Sequence, residues 1–364
     1  MKKITYLKVI IINLLLVLSL VGSIELIFSI FADNFAIKNN KEFRLSKPEP
    51  YAKSPYFSRE FIEESFRQPG GWSVPEGTSL IIPNDYSSAH FNISGGIRKT
   101  VGTPENYRNT IFIFGGSTIY NSEVPDSLTV ASLLQNLING NKLPYRVVNY
   151  GTTTIDSGQQ LERLRREVKI TNGDIVIFYD GVNDVLQKVW LKDATKSLST
   201  QALEAPYFIS LVRKMAEYSA FLRWYDKNYL TLKSYPIDFE LINRASKIYL
   251  NNLNSAQIFT AKNKGKFIHF LQPNLYTKSP HNLYEIKLLN WGGNESPVGL
   301  RAIFQATYPV FQEMLANTGY SVDLVNIFDN LNYSPYLDFC HVTEIGNEVV
   351  ANAIFETIKI DLYK

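Results

Sequence analysis

The chain has 364 residues, a mass of 41.5 kDa and a hydrophobic content of 45%, enough to bury the core of one large domain, with or without insertions. Its net charge is only +3 and its basic residues are scattered, so it lacks the basic patch that nucleic-acid binding requires. Cys340 is the one cysteine, which excludes an internal disulfide and a cysteine-based zinc site.

A long apolar stretch begins close to the amino terminus. Residues 9–32 are almost all apolar, and only Asn13 and Glu25 interrupt them strongly. About 20 mostly apolar residues are enough to span a bilayer. We therefore expect residues 1–32 to form a cytoplasmic tip and a transmembrane anchor. Two alternatives stay open: a signal peptide cleaved near residues 21–23, and a buried amphipathic core helix.

Basic residues flank this stretch on both sides, so the count of positive charges does not set its orientation. Those before it are Lys2, Lys3 and Lys8, and those after it are Lys38, Lys41, Arg44, Lys47 and Lys53. A large domain that follows a single amino-terminal span is usually translocated. We therefore expect a single-pass protein of the cell membrane, with its large domain in the periplasm or outside the cell.

Two irregular segments follow the apolar stretch. Residues 33–60 are polar and contain Pro48, Pro50 and Pro55, which predicts a linker between the anchor and the folded domain. Residues 61–108 are broken repeatedly by glycines and prolines. We expect them to wrap around the domain ahead of its first strand.

From residue 109 onward, short apolar strands alternate with amphipathic helices. The predicted strands are residues 110–114, 145–150, 174–179, 266–271 and 321–326, and the predicted helices include residues 125–139, 157–169 and 344–360. Nearly continuous apolar strands between helices are typical of a parallel sheet that is covered on both faces. We therefore predict an α/β fold: a three-layer α/β/α sandwich with a five-stranded, mostly parallel sheet.

This fold would occupy residues 61–364, with its core starting at about residue 109. Residues 184–264 interrupt the alternation with mostly helical sequence and are predicted to be an insertion. Residues 275–300 are predicted to be a long loop. Both segments are candidates for a substrate-binding region or a lid.

Residues with a possible catalytic role follow three of the predicted strands at the points where these strands end. Ser117 follows the first strand, Gly151 the second and Asn183 the third, and Asp338 and His341 stand near the carboxyl terminus. Open α/β sheets bind their ligands at the carboxyl ends of the strands. A serine there becomes a nucleophile only when a base accepts its proton. His341 is the candidate base, and Asp338 can orient it.

Each of these features also has a structural interpretation. Gly-Gly-Ser after a strand is by itself more often a turn than a nucleophile. Asp-x-x-His is by itself usually a pair of polar surface residues or a helix cap. Asn183-Asp184 can be the start of a helix. All four features occur in order at strand ends, and this combination favours a catalytic site.

Taken together, the four blocks resemble those of the SGNH hydrolase family, also called GDSL, over residues 109–360. They are Gly115-Gly116-Ser117-Thr118, Asn149-Tyr150-Gly151, Gly181-Val182-Asn183-Asp184 and Asp338-Phe339-Cys340-His341. The Gly-Gly-Ser block behind an amino-terminal anchor is similar to that of a membrane-anchored bacterial subgroup. Three positions depart from many members, which have aspartate in place of Gly116, leucine in place of Thr118 and proline in place of Val342.

The resemblance implies a flavodoxin-like sheet and assigns roles to the residues of the blocks. Ser117 would be the nucleophile, His341 the base and Asp338 the group that orients the imidazole. The oxyanion hole would consist of the backbone N–H groups of Ser117 and Gly151 and the side-chain amide of Asn183. This chemistry needs no cofactor. No metal is expected either, because Asp180, Asn183 and Asp184 resemble a calcium loop only loosely and no later ligand pattern follows them.

The expected function is that of a serine esterase that acts on acyl esters through an acyl-serine intermediate. O-acetyl groups of surface carbohydrate are the expected substrate, so the partners would be a carbohydrate or small-molecule ester and the membrane. Two other functions stay open. One is an O-acyltransferase of cell-surface polysaccharide that uses the same triad, and the other is a non-catalytic component of polysaccharide assembly.

The remaining polar candidates carry weaker expectations. Gln272 ends the fourth strand and is predicted to line the substrate pocket. His269 lies within that strand and is predicted to be a core residue with satisfied hydrogen bonds. Cys340 is expected to serve packing. His90 and His281 lie in irregular segments where the sequence suggests no partner.

Overall fold

The computed structural model divides the chain into two compact units. The residues that it describes are 13, 19–25, 40–67, 70–192, 219, 221, 237–290 and 300–363. The larger unit contains Asn40–Asp193, Ile237–Trp291 and Leu300–Lys364. All strands and helices named below belong to this unit.

The smaller unit contains Met1–Asn39, Ala194–Pro236 and Gly292–Gly299. Within it, Ser219 Oγ donates a hydrogen bond to Glu25 Oε2 at 2.8 Å. The predicted anchor of residues 1–32 lies largely outside the described residues. Within the described part of the chain, none of the helices has the length and apolar character that a bilayer span requires.

The larger unit is built from ten strands and ten α-helices among the residues that the structure describes. The strands are β1 (Trp72–Ser73), β2 (Ile82–Pro83), β3 (Tyr86–Ser87), β4 (Asn92–Ser94), β5 (Ile97–Arg98), β6 (Asn109–Gly115), β7 (Tyr145–Asn149), β8 (Ile175–Asp180), β9 (Lys266–Leu271) and β10 (Ser321–Asp323). The helices are α1 (Asn40–Leu45), α2 (Arg59–Phe66), α3 (Ser117–Tyr120), α4 (Val130–Gly140), α5 (Ser157–Glu167), α6 (Val182–Asp184), α7 (Phe239–Lys262), α8 (Leu283–Asn290), α9 (Leu300–Leu315) and α10 (Glu344–Leu362).

The main sheet has eight strands in the order β10-β9-β8-β6-β7-β5-β4-β3. Its first five members are parallel to one another, and they are the five strands that the sequence predicts. Their order matches that of flavodoxin-like doubly wound folds. In such a sheet the carboxyl ends of the strands open onto one edge, where ligands bind.

The side chains of β6 show why the sheet is covered on both faces. Phe112 and Phe114 belong to one buried apolar cluster, which includes residues of α5, α7 and α9. Ile111 and Ile113 belong to a second cluster, which includes residues of α4 and α10. Alternate side chains of a strand point to opposite faces, so a continuous apolar strand requires helices on both sides. The predicted three-layer α/β/α sandwich is confirmed.

The prediction of five strands was too low, because the irregular segment before β6 adds three more. β5 pairs antiparallel with β7, and β4 and β3 continue the sheet from there. A Gly-Gly turn joins β4 to β5, and both Gly95 and Gly96 have positive φ, as tight hairpin turns require. Strands of two or three residues produce no periodic apolar pattern, so the sequence alone does not reveal them.

The predicted linker, residues 33–60, differs from the structure over its described part. α1 and the residues that follow it fold onto the larger unit instead of forming a free tether. Tyr51 is fully buried, and Ser54 Oγ donates to Glu344 Oε1 at 2.5 Å. The proline-rich composition suggested a tether, but it cannot report contacts with residues almost 300 positions away.

The predicted loop of residues 275–300 also differs from the structure, because it contains α8. Leu288 of this helix is buried among the residues of the second apolar cluster. Apart from residues 219 and 221, the predicted helical insertion at residues 184–264 is described at its two ends. It begins with a π-helical turn, Val185–Trp190, and finishes with α7.

Candidate active site

Ser117 is the first residue of α3, which begins directly after the central strand β6. The turn between them is tight. A Cβ atom at Gly115 would lie 2.5 Å from Ile119 Cγ1 and 2.7 Å from the carbonyl oxygen of Tyr179. The glycine therefore allows the chain to turn at the carboxyl end of β6. As the first residue of a helix, Ser117 has an N–H group with no partner within that helix.

The structure brings together the three residues that the sequence predicts as a triad. His341 Nε2 lies 2.7 Å from Ser117 Oγ, and His341 Nδ1 lies 2.7 Å from Asp338 Oδ2. These contacts match a serine–histidine–aspartate arrangement. With its proton on Nδ1, the imidazole donates to the carboxylate and Nε2 is left to accept the hydroxyl proton.

The loop that carries Asp338 and His341 is held by its own backbone. Asp338 Oδ1 accepts hydrogen bonds from the backbone N–H groups of Cys340, at 3.0 Å, and His341, at 2.8 Å. One carboxylate oxygen therefore orients the loop while the other contacts the imidazole. Asp338 is buried, whereas Ser117 and His341 are only half-buried, so the reacting atoms are open to a substrate.

Two charged residues beside the triad were not identified from the sequence. Arg44, from α1, forms ion pairs with Glu123 Oε1 at 3.0 Å and with Asp338 Oδ2 at 3.5 Å. Both Arg44 and Glu123 are almost completely buried. Arg44 lies in the segment that was predicted to be a linker, and no local motif marks either residue. Their proximity is a product of the tertiary structure.

These charges set the pKa values of the triad. Burial alone would lower the pKa of His341, but the negative charges of Asp338 and, to a smaller extent, Glu123 raise it well above its usual value. Burial alone would raise the pKa of the Asp338 carboxyl, but the charge and hydrogen bond of His341 and the charge of Arg44 lower it below its usual range. The site therefore favours an imidazolium beside an ionised carboxylate.

Asn183 brings its side-chain amide next to the turn that carries the nucleophile. A Cβ atom at Gly116 would lie only 2.3 Å from Asn183 Nδ2, so the second glycine of Gly-Gly-Ser makes room for this amide. Asn183 Nδ2 donates one hydrogen bond to the carbonyl oxygen of Ile155, at 2.9 Å. An amide nitrogen carries two hydrogens, so a second donor is left beside Ser117.

Asp184 holds the Asn183 turn against the start of α5. Its carboxylate accepts hydrogen bonds from Ser157 Oγ at 2.6 Å and from the Ser157 N–H at 3.1 Å. Burial raises the pKa of Asp184 to about 7, although the ammonium group of Lys188 opposes the shift. Asp184 therefore contributes to the structure of the turn that carries Asn183.

The structure gives Gly151 a different role from the predicted one. Its N–H, expected in the oxyanion hole, already donates to Asn149 Oδ1 at 2.9 Å. A Cβ atom at Gly151 would lie 2.3 Å from the Tyr120 nitrogen and 2.5 Å from the Ile119 carbonyl carbon. The glycine thus lets the end of β7 pack against α3. Of the predicted donors, the Ser117 N–H and the Asn183 amide remain free to meet an oxyanion.

No family model and no curated protein matches the chain. The chain is similar to several solved structures. One is a member of the lipolytic G-D-S-L family from Veillonella parvula, with 12% identity and a TM-score of 0.41, covering 69% of this chain and 99% of that chain. A lipase/acylhydrolase from Enterococcus faecalis has 16% identity and a TM-score of 0.39, and the match covers 69% of this chain and 95% of that chain. An acetyl xylan esterase from Geobacillus stearothermophilus has 14% identity and a TM-score of 0.39, and the match covers 70% of this chain and 95% of that chain.

Gln272 lies directly after β9 and is almost completely buried. Its N–H donates to the carbonyl oxygen of Asp180 at 2.9 Å, and its own carbonyl accepts from the Tyr308 hydroxyl at 3.2 Å. Its backbone is therefore bound within the sheet. A role of its side chain in substrate binding stays a prediction.

His269 is a core residue with satisfied hydrogen bonds, as predicted. It is fully buried and contacts the Tyr249 hydroxyl at 2.8 Å, Ser321 Oγ at 2.6 Å and Asp180 Oδ1 at 3.2 Å. The other two histidines also have partners. His90 contacts Glu64 Oε2 at 2.8 Å, and His281 contacts a backbone carbonyl at 2.8 Å.

Asp338, Cys340 and His341 place three potential metal ligands within 4.8 Å of one another. The carboxylate and the imidazole already bind each other, and the imidazole also contacts Ser117. Burial raises the pKa of the Cys340 thiol to about 11, so the thiol is protonated near neutral pH and is a poor ligand. The geometry of these groups therefore suits proton transfer better than metal binding.

Proposed function

We propose that this protein is a serine esterase that cleaves acyl esters through an acyl-serine intermediate. The observation that carries this proposal is the continuous hydrogen-bonded series from Ser117 Oγ through His341 to Asp338, with both contacts at 2.7 Å. A purely structural turn has no need of a buried carboxylate, an imidazole and a half-exposed hydroxyl in this order. Nucleophilic catalysis needs all three.

In the proposed mechanism, Ser117 Oγ attacks the ester carbonyl while His341 Nε2 takes the hydroxyl proton. The resulting oxyanion accepts hydrogen bonds from the Ser117 N–H and the Asn183 amide. The imidazolium then protonates the departing alcohol, and the acyl group stays on Ser117. A water molecule, deprotonated by His341, releases the acid and regenerates the serine.

We further propose that the acyl group is acetyl and that the alcohol is a hydroxyl of surface carbohydrate. The resemblance to anchored bacterial proteins with a Gly-Gly-Ser block supports this substrate. The apolar amino terminus supports a single-pass anchor. A large domain that follows one amino-terminal span is usually translocated, which supports a place outside the cytoplasm, where such polymers lie. An acyl-serine can also pass its acyl group to a sugar hydroxyl, so transfer is a second outcome for the experiment to distinguish.

The test is hydrolysis of p-nitrophenyl acetate by the full chain and by its Ser117→Ala variant. The full chain is used for this test. A shorter chain that starts at Ser46, without the apolar amino terminus, would lack Arg44 and its contact with Asp338. We expect acetate release by the parent and none above background by the variant. Equal rates for both proteins, with both folded, would reject the esterase and favour a non-catalytic role.

Two further measurements address the substrate and the acceptor. Acetylated xylan and a short-chain triglyceride, compared at equal ester concentration, test the preference for carbohydrate. Mass spectrometry of an oligosaccharide added together with p-nitrophenyl acetate tests for transfer. Acetate appearing on the oligosaccharide would identify an acyltransferase, and release to water alone would identify an esterase.

A further inference from the structure

Arg44 links the segment that carries the nucleophile Ser117 to the loop that carries Asp338 and His341. The contacts of the triad require these two parts of the chain to keep their relative position. The Arg44 guanidinium forms ion pairs with Glu123, six residues after the nucleophile, and with Asp338, three residues before His341. One carboxylate belongs to the segment that follows the nucleophile, and the other to the loop that carries His341. Arg44 is only 4% exposed and Glu123 only 2%, so water screens these charges little.

Further contacts hold this cluster in place. The Arg44 guanidinium lies 5.0 Å from the ring centre of Phe66 in α2. The Tyr51 hydroxyl donates to the backbone carbonyl of Glu123 at 2.9 Å, and Ser122 Oγ donates to Glu123 Oε1 at 2.9 Å. The cluster is therefore part of the folded unit and not a chance pairing of surface side chains.

We propose that Arg44 and Glu123 are positioning residues of the Ser117 site: Arg44 holds the Asp338 carboxylate and the nucleophile turn together, and Glu123 supplies a second negative charge near His341. This inference rests on the proposed function. It adds two residues to the site, one of them from α1, which the sequence assigned to a linker. Each acts through Asp338 or His341 rather than on the substrate.

The charges surrounding His341 determine what each substitution should do. The titratable groups that face the His341–Asp338 pair or its Arg44–Glu123 neighbours are Cys340, Tyr51, Tyr276 and Tyr284. Burial raises the pKa of Cys340 and of the three tyrosines, so these groups stay neutral at neutral pH. Arg44, Glu123 and Asp338 therefore carry the charges that act on the imidazole.

The test compares Arg44→Met and Glu123→Gln in the full chain. Removal of the cation should raise the pKa of His341, and removal of the anion should lower it, because each change leaves the opposite charge unbalanced. Arg44→Met should also lower kcat/KM at least about tenfold, since a small displacement of a catalytic group is costly. The double variant should return the pKa toward that of the parent.

The pKa of His341 is measured in two ways. One is the pH profile of kcat/KM with p-nitrophenyl acetate. The other is titration of the imidazole by NMR, where the chain has only four histidines and a His341→Gln variant identifies the signal. If the parent shows no hydrolysis, the esterase proposal fails, but the NMR titration still decides whether Arg44 and Glu123 act on His341.

Arg59→Met is the matched control, because Arg59 also lies in the amino-terminal segment of the larger unit and its side chain is 75% exposed beside Glu63. It should leave both kcat/KM and the pKa of His341 unchanged.

Arg44→Lys keeps the charge but lacks the fork that reaches two carboxylates, so it should lower kcat/KM while leaving the pKa of His341 close to that of the parent. If Arg44→Met does not fold, Arg44→Lys and Glu123→Gln test the positioning role of Arg44 and Glu123 instead. Shifts in the same direction for Arg44→Met and Glu123→Gln, or no shift for Glu123→Gln in a folded protein, would overturn the proposal.

Discussion

His341 Nε2 lies 2.7 Å from Ser117 Oγ although 224 positions separate the two residues in the chain. Ser117 stands at the end of the central strand, and His341 on a loop just before the last helix, α10. The parallel sheet and the layer of α4 and α10 bring these segments together. Their contact makes the chemistry of the site testable residue by residue.

Asp338→Asn should lower kcat about 10⁴-fold, because an amide no longer holds the imidazole in the tautomer that accepts a proton at Nε2. The measurement is steady-state hydrolysis of p-nitrophenyl acetate. Asp361→Asn is the control, since Asp361 pairs with Lys266 at the amino-terminal end of β9, at the sheet edge opposite the strand ends that carry the site. A comparable loss in both variants would indicate general damage instead of a role in the triad.

The rate should depend on pH in a direction set by the raised pKa of His341. Only the neutral imidazole accepts the Ser117 proton, so kcat/KM should rise with pH and level off only well above pH 6.5, the ordinary pKa of histidine. The profile is measured from pH 5 to 10, with Ser117→Ala at each pH to correct for alkaline hydrolysis. A plateau reached by pH 6 would contradict the raised pKa.

The same pKa predicts how His341 affects stability. A histidine whose pKa is higher in the folded state contributes stability that is fully present below the unfolded pKa, about 6.5. The contribution is lost as pH rises through the folded pKa. The free energy of unfolding of the parent, relative to His341→Gln, should therefore decrease between pH 6 and pH 10. Urea unfolding at both pH values measures it, and a difference that grows with pH would reverse the assigned sign.

Asn183→Ala should lower kcat by about 10²–10³-fold with little change in KM, as expected for loss of a donor that meets the oxyanion. Gly116→Ala should act in the same direction, because its Cβ would displace the Asn183 amide. Asn352→Ala, on the exposed face of α10, serves as the control. If Asn183→Ala raised KM alone, the amide would bind substrate without stabilising the transition state.

Gly151→Ala should reduce the free energy of unfolding by about 1–3 kcal/mol, the range for overpacking a filled site. The added Cβ would meet the backbone of Ile119 and Tyr120. Gly140→Ala is the matched control. Its Cβ would meet nothing within 4 Å at the end of α4, so it should be neutral or stabilise by up to about 1 kcal/mol. Thermal and urea unfolding give both values, and an unchanged stability for Gly151→Ala would disprove its packing role.

The sequence by itself determined the five parallel strands and the helices that cover them, and it singled out Ser117, Asp338 and His341 as a candidate triad. These features leave local signals, because a buried strand needs a run of apolar residues and a strand-to-helix turn needs glycine before Ser117. The grouping of Ser117 with Asn183 followed from their places at strand ends, since parallel strands present those ends at one edge, whereas Asp338 and His341 joined the group through the resemblance of the four blocks to the SGNH family.

Only the tertiary structure decided the roles of Gly151, Arg44 and Glu123. Gly151 is one residue past the predicted strand and two residues past the observed one, but only the packed fold shows that its N–H binds Asn149 and that its Cα faces α3. Arg44 meets Asp338 across 294 positions, and nothing in its own neighbourhood of the sequence indicates that contact. Local patterns report burial and backbone shape within a few residues, whereas the partner of a buried charge depends on which distant segments the fold brings beside it.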